Sequence, residues 1–331
     1  MPRAVARPLR MILQYHEVFG QWYVPNLRAY VPHERGFFVV RTNARGMRSS
    51  RDHPLSAPPG RRRLLLFGDS FTAGEGVSND ERFSDLLEGM GDAPEVLNFG
   101  LSGSGPDQQL LILEEAGERF DADAVLFCPS VENIRRVLMR SWPELDGPTG
   151  HLILVPKPYF SLADGGKLER QNVPVPRERP AVEAIPDRRL GLRLRRLLRP
   201  MLGPWATAAV RASGYQPYPQ YRSASDPAWL LMRAILARMI EVAGPRRVVV
   251  APLPLYHHIE ATATPVYLQR FRELAREHPG IELIDLLPYF QALPYRERRR
   301  CRYRHDPHYT PLAHRVVASA LTAELSRRGI A

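Results

Sequence analysis

The apolar positions of this chain follow two patterns. Short runs, RRRLLLF (61–67), EVLNFG (95–100), DAVLFCPS (123–130), RRVVVAPLPLY (246–256) and IELIDLLPYF (281–290), are bounded by turn residues. Such runs read as strands buried on both faces. Between them, apolar residues recur at helical spacing. In NDERFSDLLEGM, Phe83, Leu86, Leu87 and Met90 share one face, Asn79 or Asp80 can cap the start, and Gly91 can end the turn. Helices are likewise predicted over 106–120, 227–244 and 265–280, and at the end of 305–325, where Thr310 suits the N-cap and Pro311 the first turn. Five strands alternating with helices predict an α/β fold whose parallel sheet is covered on both faces.

Two segments depart from this alternation. Residues 1–57 read as an N-terminal extension, in which WYVPNLRAYV and GFFVVRTNARGMR suggest short strands around turns. Residues 143–226 are rich in Pro, Gly and Arg and interrupt the pattern. The chain therefore divides into an extension (1–57) and one α/β domain (58–331) interrupted by an insert at 143–226. No internal repeat is visible.

Composition alters this picture little. Length, 44% apolar and 24% charged residues suit one large folded domain with insertions, or two domains. The net charge of +11, carried almost wholly by Arg, favours acidic partners or reflects a general preference for Arg over Lys. No nucleic-acid partner is predicted. Two cysteines, Cys128 and Cys301, make no disulfide framework. The N-terminal stretch lacks the apolar centre of a signal peptide, and no run approaches the roughly 20 apolar residues of a membrane span. A cytoplasmic location is the expectation.

The polar turns after the predicted strands are where chemistry belongs, because ligands of open parallel sheets bind beyond the carboxyl ends of the strands. Ser70 follows the first core strand, in FGDSF. The loop GLSGSG, with Gly103, follows the second, and Asn133 follows the third. Asp306 and His308 stand just before the last helix. A serine hydroxyl needs a base, which His308 can supply, and Asp306 can orient the imidazole. The backbone N–H groups of Ser70 and Gly103 and the amide of Asn133 can face a developing oxyanion. His305 and His314 are rivals for the base, and Gly100 and Gly105 for the glycine donor. His314, inside the last helix, reads as structural, and Asp69 as a support of the turn.

These blocks together resemble the SGNH, or GDSL-like, hydrolase superfamily. Gly68-Asp69-Ser70 matches its first block, Asn98-Phe99-Gly100-Leu101-Ser102-Gly103 resembles its second, Asn133 its third and Asp306-Pro307-His308 its last. The resemblance covers roughly 60–142 and 228–325. It implies a flavodoxin-like three-layer αβα sandwich and hydrolysis of esters or thioesters, with acyl transfer in some members. Here Asn133 lies in Glu-Asn-Ile rather than Gly-x-Asn-Asp, one residue rather than two separates Asp306 from His308, and Phe71 replaces the Leu of the name motif.

Other signatures are absent. GEGVSN and GSGPDQ lack the third glycine of a dinucleotide loop, and neither Gly-Lys-Ser/Thr nor Gly-x-Ser-x-Gly occurs. His257 and His258, taken as strand neighbours, point to opposite faces and make a poor metal pair. No metal and no cofactor is expected.

The sequence thus favours a serine esterase acting on a small-molecule or glycan ester, such as O-acyl groups of a carbohydrate. An O-acyltransferase with the same residues is the nearest alternative. A silent binding module for an acidic ligand is the alternative from another class. Within the insert, 187–213 interleaves Leu190, Leu194, Leu197 and Leu198 with Arg193, Arg195, Arg196 and Arg199, while Pro200 and Pro204 break the helix. It reads as a lid over the pocket rather than a contact to an anionic membrane surface.

Overall fold

The computed structural model describes residues 12–91, 93–145, 152–182 and 214–330. The basic segment 187–213 lies outside them. Two antiparallel hairpins come first: β1 (Leu13–His16) with β2 (Gly20–Tyr23), and β3 (Arg28–His33) with β4 (Gly36–Arg41). Their inward side chains, among them Trp22, Tyr23, Val31, Phe38 and Val40, join the same buried core as the sheet that follows.

Three core strands come next: β5 (Arg63–Gly68), β6 (Glu95–Asn98) and β7 (Ala124–Cys128). Every residue in them is buried, as an all-parallel sheet with both faces covered requires. Across the start of the insert and within it lie β8 (Ser141–Leu145), β9 (Leu152–Pro156) and β12 (Ala181–Val182) in one small sheet, and β10 (Tyr159–Leu162) with β11 (Leu168–Gln171) in another. The Pro/Gly/Arg-rich segment, which showed no pattern in the sequence, therefore contains ordered hairpins. The core sheet resumes with β13 (Arg247–Val250) and β14 (Ile281–Leu283).

The five core strands are parallel and lie in the order β14-β13-β7-β5-β6. Numbered within the sheet, that is 2-1-3-4-5 read from the other edge, the flavodoxin-like order. Right-handed crossovers then put the connection β5–β6 on one face and the later ones on the other. The helices agree. α2 (Phe83–Glu88) packs on the last helix, α9 (Pro311–Arg327), while α3 (Pro106–Glu115) packs on α5 (Pro227–Ala243). Trp229 of α5 in turn meets Phe271 of α7 (Tyr267–Glu277), 5.7 Å between ring centres. The result is a three-layer sandwich whose strand order reverses between β5 and β7.

Three sequence expectations need correction. The run 281–290 is not one strand: it pairs only over Ile281–Leu283 and becomes helix α8 (Leu287–Gln291). There the Asp285 carboxylate accepts from the Leu287 N–H and Pro288 fits the first turn. The run 246–256 is a continuous strand only over Arg247–Val250; beyond it Leu253 makes a single parallel bridge to Ser130, while Pro252 and Pro254 have no N–H to extend the ladder. His257 and His258 therefore sit on a helical turn, α6 (Tyr256–Ile259), so the strand argument about their direction does not apply. The short helices α1 (Ser70–Ala73) and α4 (Asn133–Arg136) follow β5 and β7 directly.

One buried cation links the N-terminal segment to the mouth of the sheet. Arg48, after β4, donates to the carbonyls of Ala73 (2.6 Å), Gly74 (2.7 Å) and Val77 (2.5 Å) and to Asn79 Oδ1 (3.1 Å). Burial lowers its pKa to about 10, which still leaves it charged at neutral pH. Without it Gly74 O keeps the Val77 N–H and Asn79 Oδ1 the Arg41 N–H, but Ala73 O and Val77 O lose their donor, at about 1–3 kcal/mol each. Arg48→Met should therefore lower the unfolding free energy by roughly 3 kcal/mol or more, read by urea denaturation. A loss near zero would show that water or a neighbour replaces the guanidinium.

Candidate active site

The site grows from the reversal point between β5 and β7. At the end of β5, Gly68 lies against α1, where an added Cβ would stand 2.0 Å from Thr72 Oγ1. The Asp69 carboxylate caps α1 by accepting from the Phe71 N–H (3.0 Å). Its other oxygen accepts from Ser130 Oγ (2.6 Å) and from Asn133 Nδ2 (2.7 Å), both beyond the end of β7. Asp69 is fully buried, and its support of the turn is thus threefold.

The second loop is shaped by Asn98, the last residue of β6. Its Oδ1 accepts from the Gly100 N–H, while Nδ2 donates to Thr72 O and Ser84 Oγ, each at 2.8 Å. Gly105 gives its N–H to Gln108 Oε1 (3.2 Å). Gly103 turns with φ of +79°. Among the described residues, neither its N–H nor that of Ser70 meets an acceptor. Of the three glycines weighed from sequence, Gly103 is therefore the one with a donor to offer. The N-terminal hairpin braces this loop: Gln21 donates to Ser102 O (3.0 Å), and Tyr23 Oη lies 3.2 Å from Ser102 Oγ.

The loop before α9 completes the constellation. His308 Nε2 lies 2.8 Å from Ser70 Oγ, and Nδ1 lies 2.5 Å from Asp306 Oδ1. An ionised Asp306 can only accept, so Nδ1 carries the proton and Nε2 offers its lone pair to the serine hydroxyl. The single-residue spacing is made by a tight turn in which Asp306 Oδ1 also accepts from the His308 N–H (2.9 Å). His33 Nε2, at the end of β3, stands 3.6 Å from Asp306 Oδ2. Glu34 accepts from the His305 N–H (3.1 Å), so the hairpin tip clasps this loop.

The rival histidines stand elsewhere. His305 is exposed. His314 is buried in α9, where its Nδ1 accepts from the Phe83 N–H (3.1 Å). Burial, with the cations Arg48 and Arg82 and with His308, pushes its pKa down to about 3. Asn133 is engaged on both ends of its amide: Nδ2 reaches Asp69, and Oδ1 accepts from Gln109 (3.3 Å). The side chain is fully buried, and its second amide hydrogen meets no acceptor among the described residues.

Three contributors were not foreseen from sequence. Glu75 brings an oxygen to 3.9 Å from His308 Nε2, His33 stands behind Asp306, and Arg136 lies 3.8 Å from Asp69 Oδ2 while donating to Ser104 O (3.0 Å). Among the described residues, Glu75, Asp306 and His308 bring potential metal ligands within 4.8 Å of one another. His308, however, uses both ring nitrogens on Ser70 and Asp306, an arrangement suited to moving a proton.

No family model matches the chain, and no curated protein matches it. Solved structures do. A member of the lipolytic protein G-D-S-L family from Veillonella parvula is 12% identical, with a TM-score of 0.44 over 80% of this chain and 99% of that one. The lipase/acylhydrolase from Enterococcus faecalis is 14% identical, with a TM-score of 0.42 over 81% and 96%. An acetyl xylan esterase is 14% identical, with a TM-score of 0.43 over 80% and 99%. At such distance these likenesses add nothing to the geometry above. No helix among the described residues is long and apolar enough to cross a membrane.

Burial alone would lower the His308 pKa, but Glu75, Asp306 and Glu132 together carry it above the ordinary histidine value. The neutral imidazole is the form that can accept the serine proton. Labelling of Ser70 by an organofluorophosphonate should therefore rise with pH, with a midpoint above about 6.5. His308→Gln should abolish labelling on the same timescale. A midpoint at or below that of free histidine would contradict the acidic surroundings of the ring.

Proposed function

We propose that the chain is a serine esterase of SGNH type. The observation that carries this reading is the continuous series Asp306–His308–Ser70, with bonds of 2.5 and 2.8 Å, at the reversal point of a parallel sheet. In the proposed reaction His308 Nε2 takes the proton of Ser70 as Oγ attacks the acyl carbon. The carbonyl oxygen of the ester becomes an oxyanion, faced by the N–H groups of Ser70 and Gly103 and the second amide hydrogen of Asn133. His308 then hands its proton to the departing alcohol, leaving the acyl group on Ser70. Water, deprotonated by the same imidazole, releases the acid and restores the serine.

The substrate is an O-acylated carbohydrate or a similar small ester. The polar groups close to the Ser70–His308 pair support this: Glu75 faces His308, while Arg136 and Gln21 brace the flanking loops. They suit a hydroxyl-rich alcohol better than a long acyl chain.

Ser70→Ala should fold normally and lose several orders of magnitude in hydrolysis of an acetyl ester. Asn133→Ala should lose about 10²–10³-fold in kcat, as removal of one oxyanion donor does. A panel running from acetyl to octanoyl esters, with simple and sugar alcohols, reads the substrate class. Near-wild-type turnover by Ser70→Ala, or an acyl group passed to an added alcohol in preference to water, would overturn the hydrolase assignment.

A further inference from the structure

Glu75 lies outside the Ser-His-Asp series, yet its surroundings fix it with unusual completeness. It sits between Gly74 and Gly76, whose φ values are +79° and +91°. A side chain at Gly74 would meet Arg82 at 2.4 Å, and one at Gly76 would meet the Tyr303 ring at 2.8 Å. The carbonyls flanking Glu75 are engaged. Arg48 holds those of Ala73, Gly74 and Val77, and Tyr303 Oη donates to Gly76 O (2.6 Å). The N–H of Glu75 itself donates to Ser70 O (2.9 Å). The turn is thus built against the residue that carries the nucleophile, and its side chain is only 11% exposed.

We propose that Glu75 is a positioning residue for proton transfer: a second carboxylate, on the Nε2 side of His308, that favours the imidazolium formed when Ser70 gives up its proton. Asp306 acts through Nδ1, so the two carboxylates address opposite nitrogens of one ring. The separation of 3.9 Å leaves Nε2 free to bond Ser70 in the resting state. Once the proton has moved, the charge on the ring lies beside Glu75 in a site shielded from water, where the Coulomb attraction is far stronger than in bulk solvent. Fixed charge placed where charge develops costs no reorganisation at the moment of reaction.

Other groups also face the ring and contribute a background. They are Asp306 with His33 behind it, Glu132 beyond β7, and His314 from α9. Removing Glu75 leaves these in place, so its own effect is separable.

The role in catalysis rests on the esterase reading, whereas the coupling of Glu75 to His308 does not. Both are read together by imidazole NMR titration of His308 and by the pH profile of kcat/KM, in the wild type, Glu75→Gln and Glu75→Asp. In Glu75→Gln the His308 titration and the acid limb of the profile should both move to lower pH, and the plateau kcat should fall several-fold. Glu75→Asp keeps the charge and should recover most of the shift. Thermal melting identifies the folded variants, and the aspartate variant gives the comparison should the glutamine variant melt early. A wild-type titration midpoint in folded Glu75→Gln, or in Glu75→Asp an effect as large as in Glu75→Gln, overturns the proposal. Absence of ester turnover in the wild type would instead remove the esterase reading and leave the titration to decide the coupling.

Discussion

A buried carboxylate that belongs to no catalytic series holds the site together. Asp69 takes one hydrogen bond from the first turn of α1 and two from beyond β7, and so ties the ends of two neighbouring strands at the point where the sheet reverses. Ser70 is placed because Asp69 caps its helix, and Asn133 is aimed because Asp69 receives half of its amide. Removing either strand end from this bond would leave buried donors with no acceptor, a cost of about 1–3 kcal/mol apiece. Fold stability and active-site geometry therefore depend on the same atom pair.

The rest of the site is assembled from long distances along the chain. Ser70 and His308 are 238 residues apart, and Arg48 reaches forward to the turn at 73–77. The N-terminal hairpins pack into the shared core, brace the Gly103 loop and clasp the loop of Asp306. They thereby support two of the loops that carry the candidate residues.

The core strands and helices were legible because each carries its own signal: continuous apolar runs for buried strands, helical spacing for the covering layers, and polar turns where the strands end. Ser70, Gly103, Asn133, Asp306 and His308 could be named because they stand at those ends or directly before the last helix. Glu75, His33 and Arg48 could not, since their positions follow from tertiary contacts that leave no periodic trace. A Glu between two glycines reads as a flexible turn until Arg48 and Tyr303 are seen to bind its carbonyls. The run 281–290 misled for a related reason. Its apolar residues suit either element, and the choice is settled by Asp285, which accepts from the Leu287 N–H, and by Pro288 in the first helical turn.

The two buried histidines near Ser70 divide the pH scale between them. His308 has a folded pKa raised above about 6.5. It therefore adds stability as pH falls through that raised value, and the addition is complete below the unfolded value. His314 is held neutral, with a folded pKa of about 3. Below about 6.5 its unfolded form binds a proton that the fold refuses, so stability is lost between there and its folded value. Through this pair, proton linkage favours the folded state most near the ordinary histidine pKa. The raised pKa of His308 places the neutral imidazole, the form that can accept a proton, on the alkaline side of that pH. Conditions that best preserve the fold and those that best activate the serine are thus displaced from one another.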